Sequence, residues 1–174
     1  ALSMWNSGDY FFPYLGDRPY LNKPPFKMWL SLIPVSLLGP SNFSLRFLDA
    51  LCGVGTIFLL YAIGLFFFRS RFIGFVSGLL LLGCETYILL HGVRTAVQDS
   101  MLVLLTTAAL FSGWHAFFRA SPRSLFWPAL TGLLVGFAVL TKSAGGVIAL
   151  PILGLTIALS GQFREILHDR FRQG

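Results

Sequence analysis

The chain has 174 residues, 55% of them apolar and only 11% charged, with a mean hydropathy of +0.74. Soluble domains average about one-quarter charged residues, so this composition excludes an ordinary water-soluble globule and puts the chain in a lipid bilayer. The net charge of +6 does not indicate nucleic acid, because the Lys and Arg residues punctuate apolar segments instead of forming a basic face with interleaved aromatics.

In chain order, the first informative stretch is Gly16 to Trp29, which crowds charged, aromatic and proline residues ahead of the apolar remainder. Within it, Lys23-Pro24-Pro25 holds the backbone extended and removes two amide donors, so the Lys23 ammonium is presented from a stiff turn suited to a phosphate. Phe26 to Leu38 is apolar but interrupted by Pro34. At about thirteen residues it is too short to span and reads as an interfacial or re-entrant helix. Spans of about twenty residues are then expected over Phe47 to Phe68, Phe72 to Leu90 and Met101 to Phe118, with shorter ones over Phe126 to Leu140 and Gly145 to Leu159. The first two form a hairpin closed by Arg69-Ser70-Arg71, and Pro122 and the serines around it break the chain after the third. The fold class is therefore an all-α integral membrane protein, a polytopic bundle of about five transmembrane helices with an outer loop carrying short interfacial helices. One domain is expected: an outer-face loop over 1–45, the bundle over 46–161 and a basic segment over 162–174.

Short-loop charges set the orientation. Arg69, Arg71, Arg119, Arg123, Arg164, Arg170 and Arg172 fall on one side, which is read as cytoplasmic. Arg94 and Lys142 fall on the other, together with the motif cations Arg18, Lys23, Lys27 and Arg46, which are discounted as functional. Residues 1–46, Gly92 to Gln98 and Thr141 to Gly145 then meet at the outer face, the pattern of a site built between helices. Trp5, Trp29 and Trp127 read as interface anchors.

Candidate site residues follow from charge in apolar surroundings. Lys23 and Lys142 suit an anion, and snorkelling toward head groups is the alternative. Arg94 and Asp99 bracket the start of the third span. Asp99 suits an acid or base role and equally a helix cap at Ser100, and Arg94 suits a simple pair with it. Glu85 falls two-thirds along the second span, where it is expected to be protonated or paired and to face the bundle interior. His91 is a ligand, a base or a structural interfacial histidine. His115 and His168 are read as incidental. Cys52 and Cys84 imply no disulfide framework. No Walker loop, dinucleotide fingerprint, zinc-ligand spacing or serine-triad signature occurs, and Gly53-Val54-Gly55 and Gly145-Gly146 read as packing or hinge glycines.

Ser7-Gly8-Asp9-Tyr10, Pro13, Gly16, Pro19-Tyr20, Lys23-Pro24-Pro25 and Trp29-Leu30 resemble the first outer loop of the GT-C glycosyltransferases, in the group containing dolichyl-phosphate-mannose protein mannosyltransferases and bacterial lipid A aminoarabinose transferases. Ser44-Leu45-Arg46-Phe47, Arg94 to Asp99 and Leu140-Thr141-Lys142 are similar to later landmarks of that group, in the same order. The resemblance implies an enzyme that moves a sugar from a polyprenyl-phosphate donor to a lipid, glycan or protein acceptor at the outer membrane face, and the short loops and compact helices point to a bacterial inner membrane. It implies Lys23 and Lys142 on the carrier phosphate or its surroundings, with Tyr20 and Arg94 as further substrate contacts, and Asp99 as the second acid of the active site. The group's principal catalytic Asp lies upstream of residue 1, so the chain is read as a piece of a longer protein cut at both ends and inactive alone. Asn22 stands where some members carry an acid able to contact a metal, which leaves a divalent metal ion open as a cofactor. Ser143 replaces the glycine usual after Lys142. A transporter or flippase for an anionic lipid-linked substrate, and a structural subunit, are the competing readings.

Overall fold

The computed structural model describes residues 1–160, apart from residues 17, 21, 91 and 120–123 and the side chain of Leu15. The expected segment 162–174 lies outside the described residues, as do His91, Arg123, Arg164, His168, Arg170 and Arg172.

A short helix, α1 (Leu2–Ser7), precedes a two-stranded antiparallel ribbon in which β1 (Tyr14–Leu15) pairs with β2 (Arg18–Pro19), Tyr14 opposite Pro19. Gly16, at φ 63°, takes the left-handed turn between the strands. The Tyr20 amide donates to the Pro13 carbonyl at 2.7 Å, which ties the chain down just before Lys23.

Next come α2 (Phe26–Leu38), α3 (Asn42–Phe68), α4 (Arg71–Leu82), α5 (Asp99–Phe118), α6 (Phe126–Lys142) and α7 (Ala149–Leu159). Pro25 caps α2 in a helical conformation, as the fixed φ of proline favours, and Gly39 at φ 78° ends it, so α2 occupies the residues expected. The first long helix begins five residues earlier than its apolar run. Ser41 accepts from the Ser44 amide while the Ser44 hydroxyl accepts from the Ser41 amide, a reciprocal cap that starts α3 at Asn42.

The expected span from Phe72 to Leu90 is not one helix. α4 stops at Leu82, and Thr86–Leu90 form a wide π-helical turn before the chain leaves for α5. Three stretches among the described residues are long and apolar enough to cross a bilayer: α3, α5 and Phe126–Leu159. The last is broken at Ser143, where φ 42° starts a 3-10 segment, Ser143–Ile148, that folds back on α6 before α7. About five crossing helices therefore resolve into three long apolar stretches and shorter apolar helices, α2 and α4.

α5 and α6 form the central hairpin, α3 packs against α4 and α5, and α2 lies across α3 and α6. Gly64 and Gly74 let α3 and α4 approach so closely that a Cβ on Gly64 would lie 2.5 Å from the Gly74 Cα. The core is small: Cys52, Met101, Leu105 and Ala138 in one cluster, and Ala109, Val135 and Ala149 in another. Large apolar side chains such as Phe58 and Leu80 stay exposed, as lipid-facing positions require. At the end carrying Arg69 and Arg119, His115 stacks on Trp127 with ring centroids 4.5 Å apart, and the Arg119 guanidinium lies 5.5 Å from the Phe66 ring centre. His115 is thus part of an aromatic belt remote from the charged end.

Candidate functional site

The opposite end of the bundle gathers the N-terminal ends of α3 and α5, the C-terminal end of α6 and the first turn of α2. Asp99 opens α5 and Lys142 closes α6, and the Lys142 ammonium forms an ion pair with the Asp99 carboxylate. The side chains are 26% exposed at Asp99 and 43% at Lys142, so the pair is open to solvent or to a ligand. Asp99 sits in the first turn of α5, where the helix dipole favours a carboxylate, but it is not the capping residue; that position belongs to Gln98.

Beside this pair a cleft of about 220 Å³ is lined by Tyr20, Lys23, Lys27, Ser31 and the loop Ala96 to Gln98. Grooves of about 310 and 360 Å³ between α3 and α4 and between α2 and α3 are roomier, but no charged side chain lines them. The smaller, polar cleft is therefore the candidate site. Gln98 is buried there, and its side-chain oxygen accepts no hydrogen bond among the described residues.

The loop into α5 is tightly constrained. A Cβ on Gly92 would strike the Tyr87 carbonyl, one on Gly53 would meet Val93 at 2.7 Å, and Ala96 adopts φ 52°. These contacts leave Arg94 exposed on the turn before α5. Asn22 is exposed one residue before Lys23.

Glu85 requires a correction. It sits at the break after α4, exposed, and does not face the bundle interior. The break falls where Gly83 caps α4 and Glu85-Thr86-Tyr87 interrupt the apolar run, a polar stretch that the length of the run on either side outweighed.

The buried carboxylate near the site is Asp49, which the sequence reading passed over. Its Oδ2 lies 2.8 Å from the Lys27 Nζ, and the Ser100 hydroxyl donates to its Oδ1 at 2.5 Å. Lys27 also donates to the Val97 carbonyl at 2.6 Å. Lys27 is 4% exposed and Asp49 and Ser100 are fully buried. Burial pushes the Lys27 ammonium below its ordinary range, against the bond and charge of Asp49, which pull it up. One signal was available: Asp49 is the one acidic residue of α3 and falls inside its apolar run, where a carboxylate needs a partner of opposite sign; Arg46, one turn away, is exposed, and the partner is Lys27. Among the described residues no three His, Cys, Asp or Glu side chains gather at one point.

Apolar helices with a charged cleft and an ion pair at one end define a polytopic membrane protein whose site lies at the mouth of its helix bundle. The dolichyl-phosphate-mannose-protein mannosyltransferase family matches residues 9–165, and the chain belongs to that family. It is 32% identical over 171 residues to an undecaprenyl phosphate-alpha-4-amino-4-deoxy-L-arabinose arabinosyl transferase of Pectobacterium carotovorum, covering 94% of this chain and 30% of that protein. Proteins of the same name from Photorhabdus laumondii (30% over 151 residues, 86% of this chain and 26% of the relative) and, numbered 2, from Proteus mirabilis (32% over 149 residues, 84% and 26%) are similar to it as well. The chain spans less than a third of the length of these relatives. No solved structure matches it.

Proposed function

We propose that this chain forms the donor-binding part of a membrane glycosyltransferase that takes a sugar from a polyprenyl-phosphate carrier and passes it to a lipid, glycan or protein acceptor at the outer membrane face. The observation that carries the reading is the meeting of Asp99, Lys142 and the Lys23 cleft at one end of the bundle, from segments more than a hundred residues apart in sequence. Similarity to undecaprenyl phosphate-aminoarabinose arabinosyl transferases supports a polyprenyl-phosphate donor. In the transfer, the bond between the sugar C1 and the phosphate oxygen breaks and a bond from C1 to the acceptor oxygen forms. The departing phosphate takes up negative charge, which Lys23 and Lys142 stabilise, with Tyr20 and Arg94 as further contacts. The acceptor hydroxyl loses a proton, and Asp99 supports that loss beside the family's principal acid.

The test is transfer of labelled sugar from a polyprenyl-phosphate donor to endogenous acceptors in membranes holding the complete protein. Asp99→Asn and Lys23→Ala, compared with wild type at matched expression, are each expected to lower the rate about a hundredfold or more, the range of a lost acid–base or charge-stabilising group. Equal transfer by all three proteins removes these residues from the site, and absence of transfer by wild type removes the activity.

A further inference from the structure

We propose that Lys27, Asp49 and Ser100 form a buried strut that sets the Lys23 turn against the start of α5, which makes Lys27 a positioning residue for transfer; the inference rests on the function proposed above. Three separately folded pieces meet in it. Lys27 lies in the first turn of α2, one turn beyond Lys23. Asp49 comes from α3 and Ser100 from α5, next to Asp99. The Lys27 ammonium donates to both Asp49 and the Val97 carbonyl, and Asp49 accepts from Ser100, so both ends of the cleft are tied to one carboxylate.

The loop bonds to itself as far as Thr95, and beyond that point it needs a hold from outside. Ala96 sits at φ 52°, a conformation an L-residue avoids without external support, and the next carbonyl is the one that Lys27 binds. Phe26, beside Lys27, stacks on Phe137 of α6 with ring centroids 4.7 Å apart, which fixes the same turn of α2 to the helix that ends in Lys142. The strut therefore relates Lys23, Asp99 and Lys142 to one another, and although Lys27 borders the cleft its ammonium is taken up by Asp49 and the Val97 carbonyl. Misplacement of such groups by about 1 Å costs on the order of a hundredfold in rate.

A pair that serves only folding behaves differently from a strut when both charges are removed together. Replacing a buried ion pair with apolar residues of similar size generally preserves stability. The Lys27→Met/Asp49→Leu variant of the complete protein is therefore expected to stay folded, with a midpoint lowered only by the Ser100 hydroxyl and Val97 carbonyl that lose their partners, to lose tenfold or more in kcat for transfer, and to keep the donor KM within about threefold. Amide exchange over residues 26–31 is expected to be at least tenfold faster. Wild-type kcat with wild-type exchange in a stable double variant overturns the proposal. If that variant does not accumulate in membranes, Ser100→Ala carries the test: a threefold or greater loss of kcat at an unchanged midpoint supports the strut, and unchanged kcat overturns it. If wild type transfers no sugar, the function proposed above falls. The exchange rates of residues 26–31 then decide the strut alone.

Discussion

Lys27 and Lys142 carry the same ammonium group into opposite surroundings. Lys27 is buried against a fully buried Asp49, so Lys27→Met leaves a carboxylate without its counter-charge, a loss of about 3–5 kcal/mol. Lys142 and Asp99 are open to solvent, and pairs of that kind contribute about 0–1 kcal/mol. Thermal unfolding of the purified proteins checks the contrast: a large drop in midpoint is expected for Lys27→Met and little change for Lys142→Met, although the latter removes a proposed phosphate contact. Equal drops would mean that the Asp99 pair is structural. Lys142 was legible in the sequence because it interrupts an apolar run. Lys27 was not, because it stands in a motif already full of charge and its partner lies 22 residues further on, in a different helix. Pairing of this kind is a fact of three dimensions, and only the cost of a lone buried carboxylate hints at it.

Helix ends decide what the elements do here. α2 was legible to the residue because proline and glycine mark its two ends in the sequence. The break after Leu82 was not, because Gly83 and Glu85-Thr86-Tyr87 interrupt a run that is apolar on both sides and long enough to read as one span, and this misplaced Glu85. The turn after Lys142 depends on a close approach that sequence also conceals. A Cβ on Gly146 would lie 2.2 Å from the Ala138 carbonyl carbon and the Val139 nitrogen, both backbone atoms that cannot swing aside. Gly146→Val is expected to push the 3-10 segment off α6, costing about 1–3 kcal/mol by overpacking and shifting Lys142 away from Asp99. A Cβ on Gly132, also in α6, meets nothing within 4 Å. Gly132→Ala is accordingly expected to leave stability equal or slightly raised, since alanine favours a helix interior. Thermal midpoints of the two variants measure the difference, and equal values would remove the close approach from the account.

At the scale of the whole molecule, orientation rests on the placement of Lys and Arg. The sequence places seven arginines on the expected cytoplasmic side, against Arg94, Lys142 and four motif cations on the other. Carboxylates count for little in this bias, so the comparison is seven cations against six. A site facing outward is the proposal this small excess supports, and labelling tests it. The convergence of distant polar segments was legible because alternate crossings must return to the same face, even though the number of long crossing stretches came out smaller. Labelling of single cysteines in a cysteine-free background tests the orientation with a membrane-impermeant maleimide. Asn22→Cys and Ala144→Cys are expected to react in cells whose inner membrane is intact, and Leu125→Cys, exposed at the other end of the bundle, only after that membrane is opened. The reverse pattern would place the Lys23 cleft in the cytoplasm and require a donor whose sugar is presented on that side.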